Sequence, residues 1–113
     1  MSHLSILPTV LRDADLLVAS LESLDLRPIR GGNLRGFEES RPVEVHVELA
    51  GGQSLGWCRQ SDGSLALVGD LHRLSRSRPL QRLLGRITRA YAARQALAEA
   101  AELLPGAVIQ VRA

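Results

Sequence analysis

The sequence predicts an α+β fold, with a mainly antiparallel sheet and two helices on one of its faces. Three observations carry this. Val43, Val45, Val47 and Leu49 alternate with Glu44, His46 and Glu48, the period of a strand with one dry and one wet face. Two segments show helical stripes, one through Leu17, Leu21 and Leu24 and one through Leu80, Leu83, Leu84, Ile87 and Tyr91. The order along the chain is strand, helix, several strands, helix, strand. Its simplest topology is a ferredoxin-like plait with an added central hairpin.

In chain order, residues 3–11 predict a first strand, and Pro8 places it on an edge or ends it. Asp13 is an N-cap for a helix over residues 14–24, and Asp15 favours its positive end. Residues 26–29 read as a short strand, Gly31-Gly32-Asn33 as a turn, and the stretch through Ser40 as an exposed loop. Residues 43–68 form a three-stranded meander, broken by Gly51-Gly52 and by the hairpin turn Ser61-Asp62-Gly63. Residues 71–78 are a basic loop suited to making contacts. Ser77 caps a long helix with Pro79 in its first turn, and Pro105-Gly106 ends it. Its buried stripe continues through Leu97, Ala101 and Leu104. Residues 107–112 alternate as a final strand.

The 113 residues fit one domain, and the 45% hydrophobic content is that of a chain that folds. Phe37, Trp57 and Tyr91 are the only aromatics, so the core is aliphatic. Cys58 is the only cysteine, which excludes an internal disulfide and suits a reducing compartment. No apolar run approaches a membrane span, and the N-terminus lacks the pattern of a signal peptide. The expectation is a soluble cytoplasmic protein.

Charge is the strongest functional signal. Arg73, Arg76, Arg78, Arg82, Arg86, Arg89 and Arg94 lie between Leu71 and Ala98 with no acid among them, a local charge of +7. The rest of the chain has 7 arginines against 12 acids, so 7 − 12 = −5, and the total of +2 hides a polarised molecule. Such polarity speaks of partners. Every basic residue is Arg, the side chain that binds carboxylates and phosphates with a two-pronged fork.

A family resemblance adds to this. Its residues are Met1-Ser2-His3-Leu4-Ser5 followed by Asp13-Ala14-Asp15, then Leu55-Gly56-Trp57 with Asp62-Gly63-Ser64-Leu65-Ala66-Leu67-Val68-Gly69-Asp70. Leu80-Gln81-Arg82-Leu83 with Ile87-Thr88-Arg89-Ala90-Tyr91-Ala92 completes the set. In that order they resemble the plastid and cyanobacterial "ycf" family numbered thirty-five, also catalogued as a domain of unknown function. The resemblance implies a small protein of photosynthetic lineages, in cyanobacterial cytoplasm or plastid stroma. It implies no established activity and carries over no catalytic residues.

Other chemistry has weaker support. His3, His46 and His72 show no metal-ligand spacing, and neither a metal nor a cofactor is expected. Cys58 beside Trp57 reads as a packed thiol, and as a redox thiolate only if Arg59 activates it. Glu44, His46 and Glu48 on one strand face read as a solvated face, or as an acid–base group in a small enzyme or ligand binder. No catalytic constellation stands out.

The functional expectation is a non-catalytic accessory or assembly protein that docks on a larger complex with an acidic surface. Arg73, Arg76, Arg78, Arg82, Arg86 and Arg89 supply the contact, with Trp57 as an anchor if it faces outward. A nucleic-acid-binding module using the same arginines is the second reading, and a solvated helix face the plain one. The acidic Glu38, Glu39, Glu44 and Glu48, or an edge strand, would allow a homodimer.

Overall fold

The computed structural model describes residues 4–35 and 40–103. The elements in order are β1 (Ser5–Leu7), α1 (Ala14–Ser23), β2 (Ile29–Arg30), β3 (Asn33–Arg35), β4 (Ser40–Pro42), β5 (Val45–Glu48), β6 (Ser54–Arg59), β7 (Leu65–Gly69), α2 (Leu71–Ser75) and α3 (Arg78–Leu103). Five strands form one sheet in the order β1-β7-β6-β5-β2, and every neighbouring pair is antiparallel. The α+β class is therefore as expected. The meander occupies the middle of the sheet, with Val47 opposite Leu55 and Trp57 opposite Leu67. The closing strand that a ferredoxin-like plait requires was expected at residues 107–112, outside the described residues.

The sheet is dry on both faces at its centre. On the helix side, Val45, Val47, Leu55, Trp57, Leu65 and Leu67 pack with Leu17 and Leu21 of α1 and Ile87 and Tyr91 of α3. On the other side Val68 meets Leu34 of β3 and Val43. A two-stranded sheet of β3 and β4 lies there, pairing Leu34 with Arg41. Gly56 makes this layer fit, because a Cβ at that position would sit 2.8 Å from Val43 Cγ1.

Two expectations about this region are corrected. Residues 33–35 and 40–42 pair as antiparallel strands where a turn at 31–33 and a loop through Ser40 were expected. Each strand is three residues long, and Leu34 alone is buried in them, too little periodicity to register in the sequence. Val43 does not share a face with Val45. The chain bends at Glu44, whose amide donates to the Trp57 carbonyl (2.8 Å) while Val45 is Trp57's register partner. Two residues thus oppose one, the geometry of a β-bulge, and the bulge turns Val43 to the opposite face.

Local chemistry sets the helix ends. Asp13 Oδ1 accepts from the amides of Asp15 (2.9 Å) and Leu16 (3.1 Å), which caps α1 as its sequence predicts. At the other end the Leu26 amide donates to Leu21 O (3.1 Å) and the Asp25 amide to Glu22 O (3.0 Å). This is a Schellman closure with Asp25 at φ 62°, a place usually taken by glycine. Residues 71–75, expected as a contact loop, are instead helix α2, capped by the Asp70 carboxylate on the Arg73 amide (3.2 Å).

α3 opens as predicted, with Ser77 Oγ accepting from the Leu80 amide (3.3 Å) and Pro79 in the first turn. Its buried stripe is shorter than expected. Ile87 and Tyr91 are buried, Leu97 is half-buried, and Ala101 is exposed; Leu104 lies outside the described residues. The 26 residues of α3 span about 39 Å at 1.5 Å per residue.

Tyr91 locks α3 to the start of α1. Its hydroxyl oxygen accepts from the amides of Arg12 (3.1 Å) and Asp13 (2.9 Å). Tyr91→Phe leaves both donors without this acceptor and is expected to cost about 1–3 kcal/mol, read as a shift of the urea midpoint at unchanged slope. Gly56→Ala forces Val43 out of its rotamer or the β3–β4 hairpin away from the sheet. A loss of about 1–3 kcal/mol is expected in the same measurement.

Candidate functional site

The arginine surface is built from the junction of α2 and α3. Gln81 of α3 donates through Nε2 to the carbonyls of Leu74 (3.2 Å) and Ser75 (3.0 Å), the last turn of α2. This ties the two helices together and fixes the arginines of one relative to those of the other. Arg73 and Arg76 close α2 where the helix dipole favours positive charge.

On α3, Arg78, Arg82 and Arg89 follow at i, i+4 and i+11 and share one side of the helix. With Gln81 and Gly85 they line one open groove. Gly85 gives the groove its floor. A Cβ there would sit 3.1 Å from Arg89 Nη1, so the guanidinium of Arg89 lies over the bare backbone. Arg86 projects from the adjacent flank.

All six of these arginines are exposed. The ion pairs among the described residues are Arg30–Asp15 (2.5 Å) and Arg59–Glu44 (2.8 Å), so none of the six is paired with an acid among the described residues. A glycine in a helix interior costs about 1 kcal/mol relative to alanine, so Gly85 inside the helical stripe is a signal that could have marked the groove and that the charge count passes over.

Trp57 does not belong to this surface. It is 1% exposed and sits at the centre of the core, so the condition for its being an anchor is not met. In a chain this poor in aromatics the indole supplies the bulk that fills the sheet–helix layer.

The alternative chemistry of the sheet is dispersed. Arg59 grips Glu44 through Nε (3.0 Å) and Nη2 (2.8 Å), and its Nη1 donates to the carbonyls of Arg12 (2.5 Å) and Gly63 (2.8 Å). The Glu44 hydrogen bond raises the Arg59 pKa further above its ordinary value. Arg59 is thus a clasp between three segments. His46 Nδ1 lies 2.9 Å from the Gly31 carbonyl, and its ring packs against Gly32. Glu48 borders a separate hollow with Asp25, Arg27 and Ile29.

Glu44, His46 and Glu48 therefore do not converge on one cavity. Cys58 is half-buried against the Leu34–Val43–Val68 cluster, and Gln60 Nε2 donates to its sulfur (3.3 Å). Among the described residues no three metal-ligating side chains come together. His72 is exposed on α2, while His3, Glu38 and Glu39 lie outside the described residues.

The family follows from comparison with known sequences. The model of a family described as "Protein of unknown function (DUF1257)" matches residues 20–107. The chain belongs to DUF1257. The match takes in the last four residues of α1 and all later elements, including the whole arginine surface. No curated protein and no solved structure matches this DUF1257 chain. Among its described residues no helix is long and apolar enough to cross a membrane.

One side chain near the clasp has a clear acid response. Asp62 Oδ1 accepts from Ser64 Oγ (2.6 Å) and from the Ser64 amide (2.9 Å). These bonds, the side-chain one foremost, hold its pKa below the ordinary 3.8. A depressed carboxylate adds stability that is present above the unfolded-state pKa and is lost as pH falls through the folded one. Denaturation midpoints followed down through the acid range should show a component of the loss that sets in as pH falls through the ordinary aspartate pKa and continues to the depressed one. Asp62→Asn is expected to lose that component while leaving the profile near neutrality flat.

Proposed function

We propose that this protein is a non-catalytic accessory or assembly factor that docks on an acidic surface of a larger protein complex. One observation carries the reading. Arg73, Arg76, Arg78, Arg82, Arg86 and Arg89 are exposed on two helices fixed to each other, and none has an acidic partner within the described residues. Repulsion among like charges is unfavourable to the isolated fold, and an acidic partner relieves it. Arg is the side chain best suited to such contacts, because its fork pairs both oxygens of a carboxylate.

The resemblance to the plastid and cyanobacterial family supports placing the protein in the cytoplasm of a photosynthetic bacterium. The paired helices support protein docking over nucleic acid. Their groove presents guanidinium groups and one amide with no aromatic side chain to stack on a base. The contact would steer association, so its on-rate would fall steeply with salt.

The test is gentle affinity purification of the tagged full chain from its own host, with and without nuclease. A stoichiometric protein partner is expected to survive nuclease, and Arg82→Glu with Arg86→Glu is expected to release it. Both positions are exposed, so the doubly substituted chain should keep its stability to within about 1 kcal/mol. Nucleic acid that co-purifies and vanishes with nuclease would replace this reading with the second one. A partner retained by the doubly substituted chain would refute the role of the arginines.

A further inference from the structure

α3 carries a second pattern on the side turned away from Ile87 and Tyr91. Gly85, Arg89, Ala92, Ala96, Glu99 and Leu103 follow one another in alternating steps of four and three residues, which sets them in one line along the helix. Arg89, Ala92, Ala96, Glu99 and Leu103 are exposed, and Leu103 stands 80% in water. The line runs roughly 27 Å at 1.5 Å per residue. The ion pairs among the described residues take neither Arg89 nor Glu99.

This spacing is that of a coiled-coil seam, where side chains of one helix insert between those of another. The residue types say what fits it. Gly85, Ala92 and Ala96 are too small to hold two helices apart, and Leu103 is an aliphatic knob. Charge is divided along the same helix. Residues 78–94 carry five arginines and no acid, while residues 95–103 carry Glu99 and Glu102 and no base.

An antiparallel copy of the helix matches this line at every step. With a two-fold axis level with Arg94, Gly85 lies opposite Leu103 of the second copy, Arg89 opposite its Glu99, and Ala92 opposite its Ala96. Symmetry makes each pairing twice. The bare glycine receives the leucine, the alanines meet where the helices are closest, and the guanidinium meets a carboxylate. Arg89 Nη1 now lies 3.1 Å from where a Gly85 Cβ would sit, and it swings out to Glu99 as Leu103 takes that place. A parallel pairing would instead set Arg89 against Arg89 and Glu99 against Glu99, which like charges disfavour.

We propose that α3 is a self-association surface, through which two copies of this chain pair with their α3 helices antiparallel along the line from Gly85 to Leu103. The match of size and charge in all three layers decides the occupant. This goes beyond the docking reading and does not rest on it. Of the six arginines in that reading only Arg89 enters the seam, and the paired copies display two sets of the other five. Small seam residues bury little area, so the dimer is weak and reversible.

The test is sedimentation velocity of the full chain over a concentration series reaching the millimolar range. A monomer–dimer equilibrium is expected. Arg89→Glu should weaken it at least about tenfold, because two ion pairs become two repulsions, and Glu99→Arg should do the same. Arg89→Glu combined with Glu99→Arg exchanges the charges and should restore the dimer. Ala92→Gln, which holds the backbones apart at their closest point, should abolish it. Arg94→Glu, on the opposite side of the helix, should leave it unchanged. All these positions are exposed, so circular dichroism should report one fold throughout.

A chain that stays monomeric at every concentration would overturn the proposal. So would a dimer that Arg89→Glu and Ala92→Gln leave intact, or one that the exchanged charges fail to restore. The docking reading is judged apart from this. A monomer that still retains its partner in affinity purification would sink the seam alone, and a dimer that retains none would sink the docking reading alone.

Discussion

Trp57 and Gly56 stand side by side in β6 and face opposite ways, and the layers of this protein depend on that step. The indole fills the space between the sheet and its two helices and is almost wholly removed from water. The bare glycine lets Val43 and Leu34 approach the back of the same strand. A side chain in the second place would push off the β3–β4 hairpin. A smaller one in the first would leave a cavity beneath Ile87, in a core with few other large groups.

The functional surface is a consequence of this packing. Ile87 and Tyr91 are the points at which α3 is buried, and the helical period then turns Arg78, Arg82 and Arg89 outward. Tyr91 sets the position of α3 along α1, since its hydroxyl takes the two amides just before that helix. Gln81 sets α2 against α3. Six exposed cations are thereby carried on two helices tied to each other. Beyond Tyr91 no described residue of the helix is fully buried, and Leu97 is half-buried.

α3 shows how one helix can offer two kinds of contact. Leu84 and Thr88 line an apolar cleft with Leu7 and Val10, while their sequence neighbours Gly85 and Arg89 line the basic groove, so hydrophobic and cationic surfaces meet along a line. Arg59 works in the opposite sense. Its guanidinium is engaged by a carboxylate and two carbonyls and serves the fold, although its residue type is that of the exposed arginines of α2 and α3.

Periodicity by itself determined the class of fold, the meander, the cap at Asp13, the start of α3 and the clustering of positive charge, because each is written in residues near one another in the chain. Tertiary structure alone decided the rest. The bulge that turns Val43 away from Val45 depends on Trp57, whose strand is distant in sequence. The paired strands β3 and β4 carry one buried side chain, Leu34, and are held by a sheet the local sequence does not contain. The helix at residues 71–75 hid in an arginine-rich run that reads as loop. Trp57 points inward because the core has no other side chain of that size to place there, and no local pattern separates an indole that anchors a partner from one that anchors the fold.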